Sequence, residues 1–196
     1  MPALLIAGAL IALSADASTV TFALTVDGCT GGCGAGPYGN ITLTDNGTAS
    51  VMVIETLSPG LAFVGTGAGD ALEFNVDKAV TISGFTDGFG IGPSPDKASV
   101  FGTFGYSATC LSCTGSSSTL PGPLAFTVTA QTGTLSIADF VANSHGYYFA
   151  SDILGGVNTG NVAALAPTSA TPEPSTMALA GVLLVGLGLT KRRKAA

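Results

Sequence analysis

An all-β body, an antiparallel β-sandwich or jelly-roll-like fold, is the class this sequence predicts, and three observations predict it. Thr, Val, Phe and Ile fill the periodic segments while Glu, Lys, Arg and Gln are scarce, a balance that favours strands and starves helices. Several segments alternate apolar and polar residues with a period of two. Turn chemistry separates short strands at close spacing, as in sandwiches. The 28 glycines and 10 prolines among 196 residues stay under the level that marks disorder, and no repeat of fixed period runs through the chain.

The first strand is 18–27, with Val20, Phe22, Leu24 and Val26 on one face and Thr19, Thr21, Ala23 and Thr25 on the other. A short strand follows at 40–44, Ile41 and Leu43 inward. Asp45-Asn46-Gly47 is a tight-turn signal, so 40–44 and 49–56 read as a hairpin. Segments 61–64 and 70–76 read as two strands around a glycine-rich turn, with another at 79–85. Residues 88–96, holding Pro93 and Pro95, read as loop, and 100–108 alternates large groups with glycine. Residues 112–123 are a Ser/Gly/Pro loop. Residues 124–130 are a strong strand with Phe126 and Val128 on one face. One short helix is expected near 136–143, capped by Ser136, with Asp139 in its first turn and Gly146 after its end. The last strands are 147–153 and 161–165.

The ends differ from this body. Ala3 to Leu13 is an apolar stretch of signal-peptide length, and Ala15-Asp16-Ala17 fits small-x-small cleavage before Ser18, although no Lys or Arg precedes the run. The expected organisation is therefore a signal peptide (helical) at 1–17, a sandwich body at 18–165, and a Pro/Thr/Ser linker at 166–176. A transmembrane helix at 177–190 and a basic cytoplasmic tail at 191–196 complete it. The apolar run is about 15 residues, or roughly 22 Å of helix, against a hydrocarbon core of about 30 Å. Lys191, Arg192, Arg193 and Lys194 follow it and act as a stop-transfer element that holds the terminus inside. Pro172-Glu173-Pro174 is an extended stretch just ahead of the membrane.

Pro172-Glu173-Pro174, the apolar run Met177 to Leu189 and the basic end together resemble the PEP-CTERM sorting signal of Gram-negative bacteria that make extracellular polysaccharide, a signal also named after ice-binding proteins. The resemblance covers about 25 residues. It implies recognition by an exosortase-type membrane protease, transient anchoring in the inner membrane, removal of the tail, and delivery to the cell surface or extracellular matrix, with exopolysaccharide as a candidate partner. The segment from Pro123 to Val162 also resembles the C-terminal half of many PEP-CTERM proteins of unassigned function, which implies a shared fold and no activity.

Residues 18–174 hold eleven acidic groups against two cations, Lys78 and Lys97, a net charge of −9. Such a body argues against nucleic acid as a partner. The four cysteines form two local pairs, Cys29-x-x-x-Cys33 and Cys110-x-x-Cys113. In an exported chain disulfides are the default. Of three connectivities, Cys29–Cys33 and Cys110–Cys113 are favoured, because each pair sits in a Gly- or Ser-containing loop that closes a small ring. A four-thiolate zinc site is the rival reading.

No catalytic set stands out, so no enzyme, cofactor or resident metal is expected. The single histidine, His145, reads as a solvated turn residue, and Glu55 and Glu73 are the only glutamates of the body. Two weaker binding signals remain. Asp152, Asn158 and Asn161 cluster near a glycine-rich turn and offer oxygen ligands of the kind calcium takes, though Asp and Asn also simply make turns. The pairs Thr19/Thr21, Thr42/Thr44 and Thr127/Thr129 offer hydroxyl ranks, but without regular spacing on successive strands they read as solvent-facing strand residues. The expected function is a structural, non-enzymatic surface or matrix protein. The alternative is an extracellular binding module for glycan, calcium or ice.

Overall fold

A computed structural model describes residues 17–47, 49–66 and 69–171. The expected signal helix and cleavage site, the sorting tripeptide, the transmembrane helix and the basic tail lie outside the described residues, apart from Ala17. The folded unit runs from Ser18 to Thr171. Among the described residues no helix is long and apolar enough to cross a membrane.

The all-β expectation holds, and every named strand pairing is antiparallel. The first sheet has six strands: β1 (Thr19–Leu24), β3 (Gly39–Asp45), β4 (Ser50–Leu57), β13 (Leu124–Ala130), β7 (Val80–Ser83) and β16 (Pro167–Thr171). Their order is β16-β1-β3-β4-β13-β7. The second sheet is built from β12 (Gly115–Leu120), β5 (Leu61–Gly65), β14 (Phe149–Gly155), β6 (Leu72–Phe74), β11 (Tyr106–Cys110) and β8 (Phe89–Ile91), in that order. Strand β15 (Asn158–Ala164) pairs with β14 and with the two-residue β2 (Val26–Asp27). A small hairpin, β9 (Asp96–Ala98) and β10 (Gly102–Phe104), stands apart from both sheets.

Period-two alternation explains how the two sheets share one core. Ile41, Leu43, Val51, Val53, Leu124, Phe126 and Val128 point inward from the first sheet and are buried. Phe63, Leu72, Phe74, Phe149 and Ile153 answer from the second. Rings meet across the gap: Phe22 lies 4.9 Å from Phe149, edge to face, and Phe74 stacks on Phe126 at 5.6 Å. Such pairs add roughly 0.5–1.5 kcal/mol each beyond their area burial. The outer face of the second sheet is covered as well. There the β9–β10 hairpin lays Ala98, Phe101 and Phe104 over Ala150 and Ala163 in a second, smaller core.

Four expectations need correction. The helix near 136–143 is a single 3-10 turn, Ile137–Asp139. Ser136 and Asp139 do form the expected reciprocal cap. Phe140 then turns extended, bridges to Val76 and stacks on Phe74 at 5.8 Å, so burial of its ring ends the helix. The loop expected over 88–96 contains β8, which pairs with β11. The Ser/Gly/Pro loop at 112–123 contains β12, an edge strand on β5. The linker expected from 166 begins instead as β16, which extends the sheet beyond β1, so the folded body reaches Thr171. Pro167 opens that strand at the sheet edge, where its missing N–H costs no ladder bond.

Candidate functional site

Two surfaces carry side chains whose arrangement exceeds what folding requires. The first is the outer face of the six-stranded sheet. Alternation that sends Ile41, Leu43, Val51, Val53, Phe126 and Val128 inward sends the intervening hydroxyl residues outward. Register then aligns them. Thr19, Thr44, Met52, Thr127 and Ser83 form one row across β1, β3, β4, β13 and β7. Thr21, Thr42, Ile54 and Ala125 form the next. Ser50, Thr129 and Thr81 form a third. The Thr19 and Thr44 hydroxyls are 3.5 Å apart. No Asp, Glu, Lys or Arg lies in these rows, although the body around them is strongly acidic. The pairs Thr19/Thr21 and Thr42/Thr44 stand directly opposite each other on β1 and β3, while Met52 and Ile54 of β4 separate them from Thr127 on β13. Unequal loop lengths hide in the sequence the order that the sheet register creates.

The second is a cluster of acidic and polar side chains on the covered face of the second sheet. Glu73, Ser107 and Asp152 project into it from β6, β11 and β14, and Asn161 lies directly opposite Asp152 on β15. Asp70 enters from the loop before β6, and Asp96 from the covering hairpin. The two halves of the loop are tied down by these groups. Asp152 accepts the Thr66 N–H at 2.6 Å and its hydroxyl at 2.9 Å. Glu73 Oε1 accepts the Asp70 N–H at 2.7 Å, and Asp70 Oδ2 lies 2.6 Å from the Ser107 hydroxyl. Glu73, Asp152, Ser107 and Asn161 are buried, while Asp70 and Asp96 are half-buried.

Burial sets the electrostatics of this cluster. Desolvation pushes Glu73 well above the carboxylate range; the Asp70 N–H opposes it, and the neighbouring Asp96, Asp70 and Asp152 push the same way as burial. Asp152 is raised to about 6, chiefly by burial, against its two bonds from Thr66. Asp96 is raised by burial and by Asp70. Glu55 is a separate case. It points inward from β4, into the core between the sheets, and is wholly buried with neither oxygen hydrogen-bonded. Burial pushes it well above its ordinary value, with a smaller opposing pull from Ser151 of the facing sheet. The Ser151 hydroxyl donates to the Ala71 carbonyl at 2.8 Å, so it offers Glu55 an acceptor only.

The three oxygen residues singled out in the sequence divide. Asp152 and Asn161 lie directly opposite each other on β14 and β15. Asn158 does not join them: its Nδ2 donates to the carbonyls of Gly31 and Gly32 at 3.2 and 2.7 Å and steadies the first cysteine loop. Asp70, Glu73 and Asp96 were not legible as partners. Alternation around Leu72 and Phe74 places Glu73 off the core face, but the hairpin that buries that other face is long-range.

Both cysteine pairs are bonded locally, Cys29 to Cys33 and Cys110 to Cys113, with Cα separations of 5.6 and 5.4 Å. This removes the thiolates a zinc site needs. Asp27, Cys29 and Cys33 bring ligand-type atoms within 4.8 Å of one another, but the sulfurs are spent on each other and Asp27 accepts the N–H groups of Cys29 and Cys33 at 2.9 and 3.1 Å. His145 is exposed in a turn whose N–H is held by Asn143 Oδ1 at 3.0 Å. A cleft of about 380 Å³ beside Val20, Phe22, Phe140 and Tyr148 is walled by apolar groups, and its one carboxylate, Asp45, takes the Ile137 N–H at 3.0 Å.

Residues 170–194 match the PEP-CTERM protein-sorting motif, which spans the tripeptide Pro172-Glu173-Pro174, the apolar run and the basic end as far as Lys194. No curated protein and no solved structure matches the chain.

Proposed function

We propose that this chain, which carries a PEP-CTERM sorting motif at its C-terminus, is exported and cut at that motif by an exosortase-type membrane protease. We assign the body a non-enzymatic role at the cell surface or in its matrix, where the threonine-ranked face binds neutral exopolysaccharide. One observation carries the binding half of this reading: the aligned, charge-free rows of hydroxyls and methyls across five neighbouring strands. Strands about 4.8 Å apart, with same-face residues nearly 7 Å apart along each, make a regular grid. A neutral glycan presents alternating hydroxyl and C–H faces that such a grid can match, and it pays no desolvation of charge on docking. Met52 and Ile54 interrupt the hydroxyl rows, which favours a glycan over the uniform lattice of ice.

The non-enzymatic half rests on the acids. The two glutamates of the body lie on opposite faces of structure, Glu55 between the sheets and Glu73 beneath the hairpin, both wholly buried. They do not flank a common cleft as a glycosidase pair would.

Co-sedimentation of the full chain with exopolysaccharide purified from the host tests the face. Wild type is expected to pellet with the polymer. Thr44→Lys combined with Thr127→Lys, on half-exposed positions, should reduce the bound fraction at least fivefold with an unchanged circular dichroism spectrum. Equal pelleting of the variant, or none by wild type, overturns the reading. Mass analysis of protein recovered from the extracellular fraction tests the processing half. Chain still carrying Met177 to Leu189 would count against it.

A further inference from the structure

We propose that β16 is a detachable strap: it lies along the edge of the sheet in the folded body, and it peels from β1 to enter the processing protease as an extended strand together with the sorting motif. This rests on the reading that the motif is cut. The first observation is an overlap. The matched motif covers residues 170–194 and β16 is Pro167–Thr171, so Ala170 and Thr171 belong to both. They stand opposite Val20 and Thr19 of β1. The motif therefore begins inside the folded sheet, with no spacer before it.

The second observation is how lightly β16 is held. It stands at the end of the sheet order, beside β1 alone. Regular pairing joins Thr171, Ala170 and Ser169 to Thr19, Val20 and Thr21. The register then shifts, and Pro167 rather than Thr168 stands opposite Phe22. Such an irregularity breaks the ladder locally. Pro167 brings no N–H to it. The approach to the strand is not packed down either: Leu165, Ala166, Pro167 and Thr168 are all exposed. The core closes one strand further in, where Phe22 and Leu24 of β1 are buried. Peeling β16 thus leaves the packing between the sheets in place. Local opening draws on elements of this kind, with few buried apolar groups and exposed backbone bonds.

Reach explains why release matters. An extended peptide is recognised by pairing its backbone along a partner's strand edge. Strand β16 already spends one edge on β1, and the sandwich stands directly beside it. Between Thr171 and the apolar run that starts at Met177 lie only Pro172 to Thr176. Fully extended, those five residues span at most about 17 Å. A protease in the membrane has to grip the motif within that span. Releasing the five residues of β16 doubles the reach to about 34 Å. Pro172 has no N–H with which to prolong the ladder against β1, so peeling can start at the motif itself.

A disulfide that locks the strap tests the proposal. Thr21 and Ser169 stand directly opposite each other, and neither lies in the matched motif. Opposed residues on antiparallel strands have Cα atoms about 4.5–5.5 Å apart, within disulfide range. Full-length chain carrying Thr21→Cys with Ser169→Cys is expressed in the native host, and the fraction released without Met177 to Leu189 is measured by mass analysis. The locked chain should be processed about fivefold less than wild type and than either single variant. A flexible Gly/Ser spacer of about ten residues between Thr171 and Pro172 should restore processing of the locked chain. Equal processing of locked and wild-type chains overturns the proposal. So does failure of a spacer that the unlocked chain tolerates. Wild type that is never cut is a different result, the failure of the processing reading itself. If the new bond does not form, hydrogen exchange on the full chain in detergent decides. The amides of Thr168 to Thr171 should exchange about a hundredfold faster than those of β3, and equal protection overturns the strap.

Discussion

Asp152 and Thr66, 86 residues apart in sequence, are joined by a backbone N–H bond of 2.6 Å and hydroxyl contacts of 2.9 Å to both carboxylate oxygens. This link ties β14 to the end of the glycine-rich loop after β5. It also gives a buried carboxyl two hydrogen-bond donors. Bonds to a charged acceptor contribute about 1.5–3 kcal/mol, yet burial outweighs them here and Asp152 sits at about 6 rather than near 3.8.

That inversion predicts how stability depends on pH. The unfolded chain releases the Asp152 proton near pH 3.8, and the folded chain keeps it to about 6. The folded state therefore binds more protons between those values. Its stability is full below about pH 4 and falls as pH rises through about 6, by roughly 3 kcal/mol from this group. Glu73 and Asp96 push in the same direction. Asp139 works oppositely: burial raises it, but the Lys78 ion pair and the Ser136 N–H hold it below its usual value, so its contribution is lost in stronger acid. Melting temperature measured from pH 3 to 8 in chelator should peak in the mildly acidic range, and Asp152→Asn should flatten its descent. A steady rise from pH 4 to 7 would contradict the assignment.

Glu55 supplies a stability prediction of opposite sign to most core substitutions. Its register neighbours are Ile41 and Leu124, and neither of its oxygens is bonded. Glu55→Met keeps the volume and removes the partnerless polar group. A buried polar group without a hydrogen bond costs about 1–3 kcal/mol, which an apolar residue of the same volume removes. A gain of roughly 3–10 °C in melting temperature at pH 7 is expected for a body of this size. A loss would mean that Glu55 has a partner worth keeping.

The two disulfides close very small rings, with sequence separations of 4 and 3 residues. Chain-entropy reasoning limits each to about 2 kcal/mol. Cys29→Ser with Cys33→Ser should cost more than Cys110→Ser with Cys113→Ser. Cys33 is buried beneath Gly155, where a Cβ would sit 2.3 Å from its carbonyl, and the Cys29–Cys33 loop anchors β2 through Asp27. Chemical denaturation of both double variants gives the ranking, and the reverse order would refute it.

Sequence alone determined the class of this protein, most of its strands and its sorting motif. The alternation at 19–24, 39–45, 50–57 and 124–130 is local, and each strand's inward face follows from it. Ring size, in a chain expected to be exported, pointed to both cysteine pairings, and the motif at 170–194 is a contiguous string of residues. Only the tertiary structure decided the rest. Phe140 leaves a capped helical turn because its ring finds Phe74, which no local propensity encodes. Thr19 meets Thr44, and Thr44 stands in line with Thr127 through Met52, because strand register, not sequence spacing, sets neighbours across a sheet. Glu73 becomes a buried acid because a hairpin more than twenty residues later covers a face that alternation alone would leave to solvent. Local chemistry fixes which way a side chain points; long-range packing fixes what it meets there.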